Sequence, residues 1–266
     1  LTRERATRAL NLGGIAEENI ALAETAEAID EAIDRGRSAV TASADALISS
    51  HLDVVIEATG LVEAAARHGY HAIQAKKHLV MVTVEADVLV GHLLKQLADE
   101  NGVIYSMAYG DEPALAYELW DWAKTLGFQV VAAGKGTRFL PEYRKANPDD
   151  VPRVYGFKGK DYNTQMFGSF LDGTKHAIEM TALANATGLL PDVRGMHMPG
   201  LDLREIPEKL CLKSKGGILE TEGVVEAVSA ARPDGSSVER SIRGGVFAVL
   251  AAPQGPAIES LASYGE

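Results

Sequence analysis

The sequence predicts an α/β fold with a parallel sheet, because two short apolar runs flank a stretch of helical length. The first run lies in DVVIEATG (residues 53–60) and the second in KKHLVMVTVEAD (76–87), with the alanine-rich segment 62–77 between them. Strand, helix and strand in this order form a βαβ unit, and wholly apolar strands suit a parallel sheet covered on both faces. Ligands of such sheets bind at the carboxyl ends of the strands. At their carboxyl ends, both predicted strands are followed by small or polar residues.

The composition is that of an ordinary globular protein, with 46% hydrophobic and 24% charged residues in a chain of 266. The net charge of −11 is not offset by any basic block, which argues against a nucleic-acid partner. The single cysteine, Cys211, fits a reducing compartment. We see no signal peptide and no apolar run of the roughly 18 residues that a membrane span needs. We therefore expect a cytoplasmic protein with no membrane partner.

The residues before the central unit are expected to be mainly helical. Residues 1–11 predict a helix or loop, with no opening strand and no glycine-rich phosphate loop. Residues 17–36 predict one long helix, whereas 39–41 and 44–50 predict a short strand and a short helix. The apolar stripe of the long helix consists of Leu22, Ala26, Ile29 and Ile33.

Two helices with leucine-rich stripes follow the central unit. They are predicted at residues 88–101 and 111–126, on either side of a strand at 103–109. Leucines three or four residues apart share one helix face, and we expect the stripe of the second helix to face the core. The stripes are Leu89, Leu93 and Leu97 in the first helix, and Leu115, Leu119, Trp122 and Leu126 in the second.

The second half of the chain begins with a strand at 128–133 that leads into GKGT (134–137). Residues 140–160 are polar and contain three prolines, which predicts a long loop. A helix at 169–187 and later strands at 217–228 and 244–250 complete the predicted elements.

A change in pattern near Tyr109 predicts a domain boundary. Strands and helices alternate before this residue, and longer loops and paired strands follow it. We therefore expect one domain at 1–109 and a second at 110–266.

Lys135 is the strongest single candidate for chemistry. It lies between two glycines directly after an apolar strand, so we expect its backbone at the strand's carboxyl end, with N–H groups open to an anion. Such a lysine could bind a phosphate or carbonyl, or act as a general acid if burial lowers its pKa. The alternative is a solvated turn lysine.

A second group of charges lies on the predicted helix 169–187. Asp172, Lys175 and Glu179 are three and four residues apart and would share one face. They form either a solvated face, with ion pairs worth about 0.2–0.5 kcal/mol each, or a functional cluster on a largely buried helix. Glu85 either caps the helix that follows its strand or accepts a hydrogen bond from a ligand hydroxyl. The histidines show no metal-binding spacing.

At these residues the chain resembles the homoserine dehydrogenase-like oxidoreductases. Within that group it is most similar to the deoxyxylulose phosphate reductoisomerase-like proteins that carry a SAF-type C-terminal region. The matching stretches span nearly the whole chain in family order. They are DVVIEATG (53–60), KKHLVMVTVEADVLVG (76–91), GVIYSMAYGDEP (102–113), VVAAGKGT (130–137), FLDGTKHAIEMTALANATGL (170–189), KGGILETEGVVE (215–226) and GGVFAVL (244–250).

The resemblance implies a Rossmann-type domain that binds NAD or NADP, followed by an α/β catalytic domain with a mixed or antiparallel sheet, in a homodimer or higher homo-oligomer. It places one set of residues beside the nicotinamide and another beside the substrate. The cofactor-binding set is Ala58, Thr59, Gly60, Thr83, Val84 and Glu85. The catalytic set is Lys135, Asn163, Asp172 and Lys175, with Asp172 orienting Lys175.

Two departures from the family pattern affect the assignment. Homoserine dehydrogenases usually carry a lysine at the position of Glu85, whereas the reductoisomerase-like branch has the acid, as here. The N-terminal strand and glycine-rich loop of the family, and its C-terminal part, are absent from this sequence, so we expect an incomplete view of a longer protein. We also expect the residue that selects NAD or NADP to lie at or before Leu1.

The resemblance implies an NAD(P)H-dependent oxidoreductase acting on a small phosphorylated hydroxy-carbonyl compound. In a reductoisomerase-like reaction a skeletal rearrangement precedes reduction and often uses a divalent metal. One alternative is a homoserine dehydrogenase-like or polyol dehydrogenase without rearrangement. Another is a non-catalytic nucleotide-binding protein that keeps the fold.

Overall fold

The computed structural model describes residues 2–156 and 163–251, together with Pro256, Glu259, Ser260 and Ser263. The chain divides into two compact units, Leu1–Ala108 and Tyr109–Glu266, which are called unit 1 and unit 2 and are treated separately. None of the helices in the described residues combines the length and the hydropathy that crossing a bilayer requires.

Unit 1 alternates helices and strands along the chain. Its helices are α1 (Arg3–Leu12), α2 (Ala26–Asp34), α3 (Ala44–Ser49), α4 (Val62–Gln74) and α5 (Val84–Asn101). Its strands are β1 (Ile20–Leu22), β2 (Ser38–Val40), β3 (Val54–Glu57), β4 (His78–Met81) and β5 (Tyr105–Met107). The predicted βαβ unit is therefore β3–α4–β4.

The strands of unit 1 form two parallel sheets, β1–β2 and β3–β4–β5. No strand among the described residues of unit 1 joins the two sheets. Leu22 on β1 and Ile56 on β3 expose their side chains. The predicted α/β class with a Rossmann-type parallel sheet is confirmed.

The predicted long helix at 17–36 is wrong, because this segment forms a strand and a shorter helix. Ile20 to Leu22 pair with Ser38 to Val40, and α2 begins only after Thr25, whose side chain accepts a hydrogen bond from the Ala28 N–H. Strand pairing with residues 18 positions away outweighs the local helical pattern. Ile29 is buried, whereas Leu22 and Ile33 are exposed.

The three leucines that stack along α5 differ in burial. Leu89 is 72% exposed and Leu93 is exposed as well, whereas Leu97 is partly buried against the core of unit 1. The buried face instead carries mainly small side chains, which let the helix approach the sheet closely. It consists of Val84, Ala86, Gly91, Leu94 and Ala98.

Unit 2 is built on a four-stranded sheet. Its strands are β6 (Gln129–Thr137), β7 (Leu190–Pro191), β8 (Val224–Ser229) and β9 (Val246–Ala251), in the order β7–β8–β6–β9. β6 runs parallel to β8 and antiparallel to β9, which confirms the predicted mixed sheet. Its helices are α6 (Glu112–Thr125), α7 (Val151–Tyr155), α8 (Thr164–Asp172), α9 (Thr174–Thr187) and α10 (Glu205–Lys209).

Helix α6 packs against β6, β9 and α9 through its small residues. Pro113, Ala116 and Ala123 are buried, whereas Trp122 is 50% exposed and Leu126 is exposed too. The predicted core stripe is therefore wrong. The alanine face is selected because it fits the close approach of three neighbouring elements.

Two further predictions for unit 2 need correction. The segment predicted as a long loop contains two 3₁₀ turns, Pro141–Lys145 and Pro148–Asp150, followed by α7. The single helix predicted at 169–187 is two helices, because Gly173 adopts φ +90° between α8 and α9. Glycine tolerates this left-handed conformation, which other residues rarely adopt.

Candidate functional site

Lys135 lies within strand β6 and not on a turn after it, since the strand continues through Gly134 to Thr137. A Cβ atom at Gly134 would lie 1.7 Å from the Glu226 carbonyl oxygen. A Cβ atom at Gly136 would lie 2.0 Å from the Ile242 carbonyl oxygen. The two glycines therefore let neighbouring backbone approach. The expectation that they expose N–H groups to an anion fails at Gly136, whose N–H donates to the Gly245 carbonyl at 2.8 Å.

The Lys135 ammonium is buried among carboxylates. The residue is 1% exposed, and its Nζ donates to Glu112 Oε1 at 2.8 Å and to Glu179 Oε2. Lys175 joins the same cluster, with its Nζ 3.3 Å from Glu179 Oε1. Lys135 is therefore not a solvated turn lysine. A buried ammonium persists only when ion pairs and hydrogen bonds offset its lost hydration.

Asp111 and Glu112, which the sequence analysis did not single out, complete this cluster at the start of α6. Burial acts to raise the pKa of Glu112, but hydrogen bonds from Lys135 and Asp111 outweigh it and lower the pKa to about 2. Burial, the hydrogen bond with Glu112 and the charge of Glu179 raise the pKa of Asp111 to about 6. Asp111 can therefore change protonation near neutral pH. Two adjacent acids at the start of a helix are common, so no sequence signal marked the pair.

The raised pKa of Asp111 predicts a pH-dependent contribution to stability. The unfolded chain loses the Asp111 proton near pH 3.8 and the folded chain only near pH 6, so wild type should lose stability across this interval. Urea unfolding at pH 4 to 8 should show the wild-type free energy of unfolding falling relative to that of Asp111→Asn up to about pH 6, then levelling. Asp121→Asn, which replaces an exposed carboxylate on α6, is the control. A wild-type advantage that grows with pH would contradict this assignment.

His176 lies beside Lys135 and is also buried. Its Nε2 is 2.5 Å from Thr137 Oγ1 and 3.0 Å from the Phe170 carbonyl oxygen. Its Nδ1 has no hydrogen-bond partner among the described residues. Burial and the positive charge of Lys135 lower the pKa of His176 to about 4, so its ring is neutral at pH 7.

These side chains form the floor of a cavity of about 190 Å³ within unit 2. Lys135, Glu112 and His176 line the floor, and Arg138, Tyr155 and Arg243 also line the cavity. Neither guanidinium group has a hydrogen-bond or ion-pair partner in the described part of the chain. Burial raises the pKa of Tyr155 while the charges of Arg243 and Arg138 act to lower it, so both cations lie near its hydroxyl. The sequence analysis missed both arginines.

The other predicted catalytic residues lie outside this cavity lining. Asn163 is exposed and caps α8, where its Oδ1 accepts from the Met166 N–H at 3.0 Å. Asp172 ends α8 and accepts from the Thr174 N–H at 2.8 Å. The helix break separates Asp172 from Lys175, so the two do not share one helix face as predicted. Lys175 joins the cluster through its ion pair with Glu179.

In unit 1 the predicted cofactor residues meet at the carboxyl ends of β3 and β4. Thr83 accepts from the Gly60 N–H at 3.1 Å, and its hydroxyl donates at 2.6 Å to Glu57, a buried carboxylate. Glu57 also accepts from the Thr59 N–H at 3.2 Å. Glu57 therefore positions the turn after β3, a role that the sequence analysis did not assign.

The remaining members of the predicted cofactor set differ in exposure. Ala58, Thr59 and Gly60 are exposed, and a Cβ atom at Gly60 would meet nothing within 4 Å. The Val84 side chain is buried in the core of unit 1, so it does not offer a binding surface. Glu85 is half-buried in the first turn of α5, where a carboxylate favours the helix N-terminus.

Comparison with protein families identifies the chain. Residues 110–265, more than half of the chain, match the family model described as "Oxidoreductase DRL, catalytic domain". The chain belongs to this family. Residues 1–107 of this DRL oxidoreductase chain match the family model "Homoserine dehydrogenase, NAD binding domain".

The solved structures that resemble this DRL oxidoreductase chain are distant from it. An oxidoreductase from Bacillus cereus is 17% identical over 65% of this chain and 46% of its own, with a TM-score of 0.34. An NAD-binding protein from Listeria innocua is 21% identical over 44% and 34%, with a TM-score of 0.27. The biliverdin reductase of Synechocystis, solved with biliverdin and NADP⁺, is 22% identical over 54% and 43%, with a TM-score of 0.27. The chain thus spans between about a third and a half of their length. No protein with a curated description matches it.

Proposed function

We propose that this DRL oxidoreductase chain takes part in the NAD(P)-dependent reduction of a small hydroxy-carbonyl substrate, or in the reverse oxidation. The observation that carries the proposal is the buried ammonium of Lys135 on the floor of a cavity within the region that matches the catalytic family. Carbonyl reduction needs a group that hydrogen-bonds the carbonyl oxygen and delivers a proton to it. Lys135 has both capacities.

The residues of unit 1 fit a nicotinamide dinucleotide. The turn after β3 presents exposed Ala58, Thr59 and Gly60, with open space at Gly60, at the end of a parallel sheet where such ligands bind. These residues would hold the nicotinamide end, with Glu57 and Thr83 keeping the turn in place. When bound, the dinucleotide supplies or accepts the hydride.

The residues of unit 2 would control the proton. Lys135 donates a hydrogen bond to the substrate oxygen and gives it a proton as negative charge develops there. Glu112 and Glu179 hold the ammonium in position through their ion pairs. Asp111 shares a hydrogen bond with Glu112 and has a pKa of about 6, so it can return a proton to this network near neutral pH.

A phosphate on the substrate is supported by the two arginines that line the cavity. Arg138 follows β6, and Arg243 is held against that strand by the bridge between Gly136 and Arg243. Guanidinium groups bind phosphate through two parallel hydrogen bonds. The volume of about 190 Å³ is below the usual range of about 300–1,000 Å³ for ligand pockets. A small phosphorylated hydroxy-ketone, such as deoxyxylulose phosphate, therefore suits the cavity better than a larger ligand.

A divalent metal does not fit the acidic cluster. Oxygen atoms of Asp111, Glu112 and Glu179 lie within 4.8 Å of one another. However, Lys135 and Lys175 already pair with the two glutamates and supply the positive charge that a metal would bring. We therefore propose no metal-assisted step at this cluster, and the rearrangement implied by the family resemblance has no residues assigned to it.

The test is turnover of deoxyxylulose phosphate and of its unphosphorylated form by the full chain, with NADH and NADPH. Arg138→Gln combined with Arg243→Gln should raise KM for the phosphorylated compound at least tenfold and leave KM for the other compound unchanged. Arg204→Gln, which replaces an exposed arginine outside the cavity lining, is the matched control. Tight dinucleotide binding without turnover of any hydroxy-carbonyl compound would favour the non-catalytic alternative. The homodimer stays a prediction, which light scattering tests.

A further inference from the structure

His176 carries a ring nitrogen that the fold leaves without a partner. The residue is 3% exposed and lies on the floor of the cavity in unit 2, beside Lys135. Its Nδ1 has no hydrogen-bond partner among the described residues and is shielded from solvent. A buried polar atom in this state costs free energy, and most such atoms in proteins are paired. Lys135 and the acidic cluster account for proton transfer, so this nitrogen is free for another task.

The contacts of the other ring nitrogen fix Nδ1 as an acceptor. Nε2 of His176 is 3.0 Å from the Phe170 carbonyl oxygen, which can only accept a hydrogen bond. Nε2 therefore carries the ring proton, and the Thr137 hydroxyl oxygen at 2.5 Å can accept from the same N–H. The ring is neutral at pH 7, because burial and the charge of Lys135 lower the pKa of His176 to about 4. Nδ1 keeps its lone pair and pairs only with a donor.

The charges around the cavity favour a neutral donor over a cationic one. Lys135, Arg138 and Arg243 are among its lining residues. Glu112, the one carboxylate among the described lining residues, already pairs with Lys135. A ligand ammonium would therefore meet like charges that nothing in the lining offsets, whereas a hydroxyl group would not. The donor that suits Nδ1 is a hydroxyl group.

We infer that His176 is a specificity-determining residue, whose Nδ1 accepts a hydrogen bond from a hydroxyl group of the substrate close to the carbonyl. This inference rests on the proposed function, because it assumes that a hydroxy-carbonyl compound fills the cavity with its carbonyl oxygen at Lys135. The imidazole selects compounds with a hydroxyl group at this place and rejects analogues that carry hydrogen or an amino group there. Such rejection is strong, because the analogue leaves the buried acceptor unpaired.

The experiment is a calorimetric titration of the full chain with three phosphorylated ketones of similar size. They are dihydroxyacetone phosphate, the analogue with hydrogen in place of its free hydroxyl group, and the analogue with an amino group there. Wild type should bind the hydroxy compound at least tenfold more tightly than either analogue. His176→Gln should bind the hydroxy and deoxy compounds within twofold of each other. Its amide nitrogen can replace Nε2 at the Phe170 carbonyl, but no acceptor remains at the position of Nδ1.

His176→Asn is the matched variant, because its amide oxygen can replace the acceptor at Nδ1. It should keep the preference for the hydroxy compound that His176→Gln loses. An unchanged ratio of dissociation constants in His176→Gln would overturn the inference. So would wild-type affinities within twofold of each other, the result expected if only an ordered water pairs with Nδ1. Loss of the preference in both variants would also overturn it, since general disturbance of the cavity would then account for the loss.

Turnover separates a failure of this inference from a failure of the proposed function. NAD(P)H-dependent reduction of the ketones, with equal affinity for all three, would refute the role of His176 and leave the proposed function intact. If the full chain neither binds nor reduces any phosphorylated hydroxy-ketone, both the inference and the proposed function fall.

Discussion

Replacing Lys135 with methionine is expected to lower kcat/KM by about a thousandfold or more. The variant loses both the hydrogen bond to the substrate oxygen and the proton donor, effects worth about 10²–10⁴-fold each in known enzymes. The change also leaves Glu112 and Glu179 without their shared ammonium. We therefore expect a loss of stability of about 3–5 kcal/mol, the usual result of breaking a buried ion pair. Steady-state kinetics and urea unfolding measure the two effects separately.

Lys135→Arg separates catalysis from folding. Arginine keeps the positive charge for the two glutamates but does not release a proton at neutral pH. This variant should stay folded and bind dinucleotide, with kcat still reduced at least a hundredfold. Lys124→Met removes the ammonium of an exposed lysine on α6 and is the control for the loss of an ammonium. Activity of Lys135→Arg within a few-fold of wild type would remove proton donation by Lys135 from the mechanism.

Gly134→Ala is expected to destabilise unit 2 by about 3 kcal/mol or more, because overpacking against backbone is costly to relieve. The added methyl group would lie 1.7 Å from the Glu226 carbonyl oxygen, where β8 pairs with β6. Relief requires the two central strands to separate, which would also displace Lys135. Thermal and urea unfolding should both report the loss.

Gly168→Ala is the matched control for this substitution. Its added methyl group would lie 3.7 Å from Pro148, which is an ordinary van der Waals distance. Alanine also favours a helix over glycine by about 1 kcal/mol, and Gly168 lies in α8. The control should therefore be neutral or stabilising. Equal stability of Gly134→Ala and wild type would show that the strands do not approach as closely as described.

The sequence predicted secondary structure best where a local pattern was compatible with only one kind of element. The apolar runs around Val55 and Leu79 became β3 and β4, because short buried runs between turn residues favour strands. Helix faces were less predictable. In α5 and α6 the stripe leucines are exposed or only partly buried, and the fully buried positions carry mainly small residues, since close packing depends on the shape of the neighbouring sheet as well as on hydrophobicity.

By itself, the sequence determined the α/β class and the central βαβ unit, and it singled out Lys135 as a candidate, since each follows from residues that are neighbours in the chain. Only the tertiary structure decided what Lys135 contacts, because Glu112 and Glu179 are 23 and 44 residues away from it. The position of Glu57 beside Thr83 was likewise decided by the pairing of β3 with β4. The physical reason is the same in both cases. Ion pairs and strand pairing depend on distances in space, which local hydrophobic periodicity does not encode.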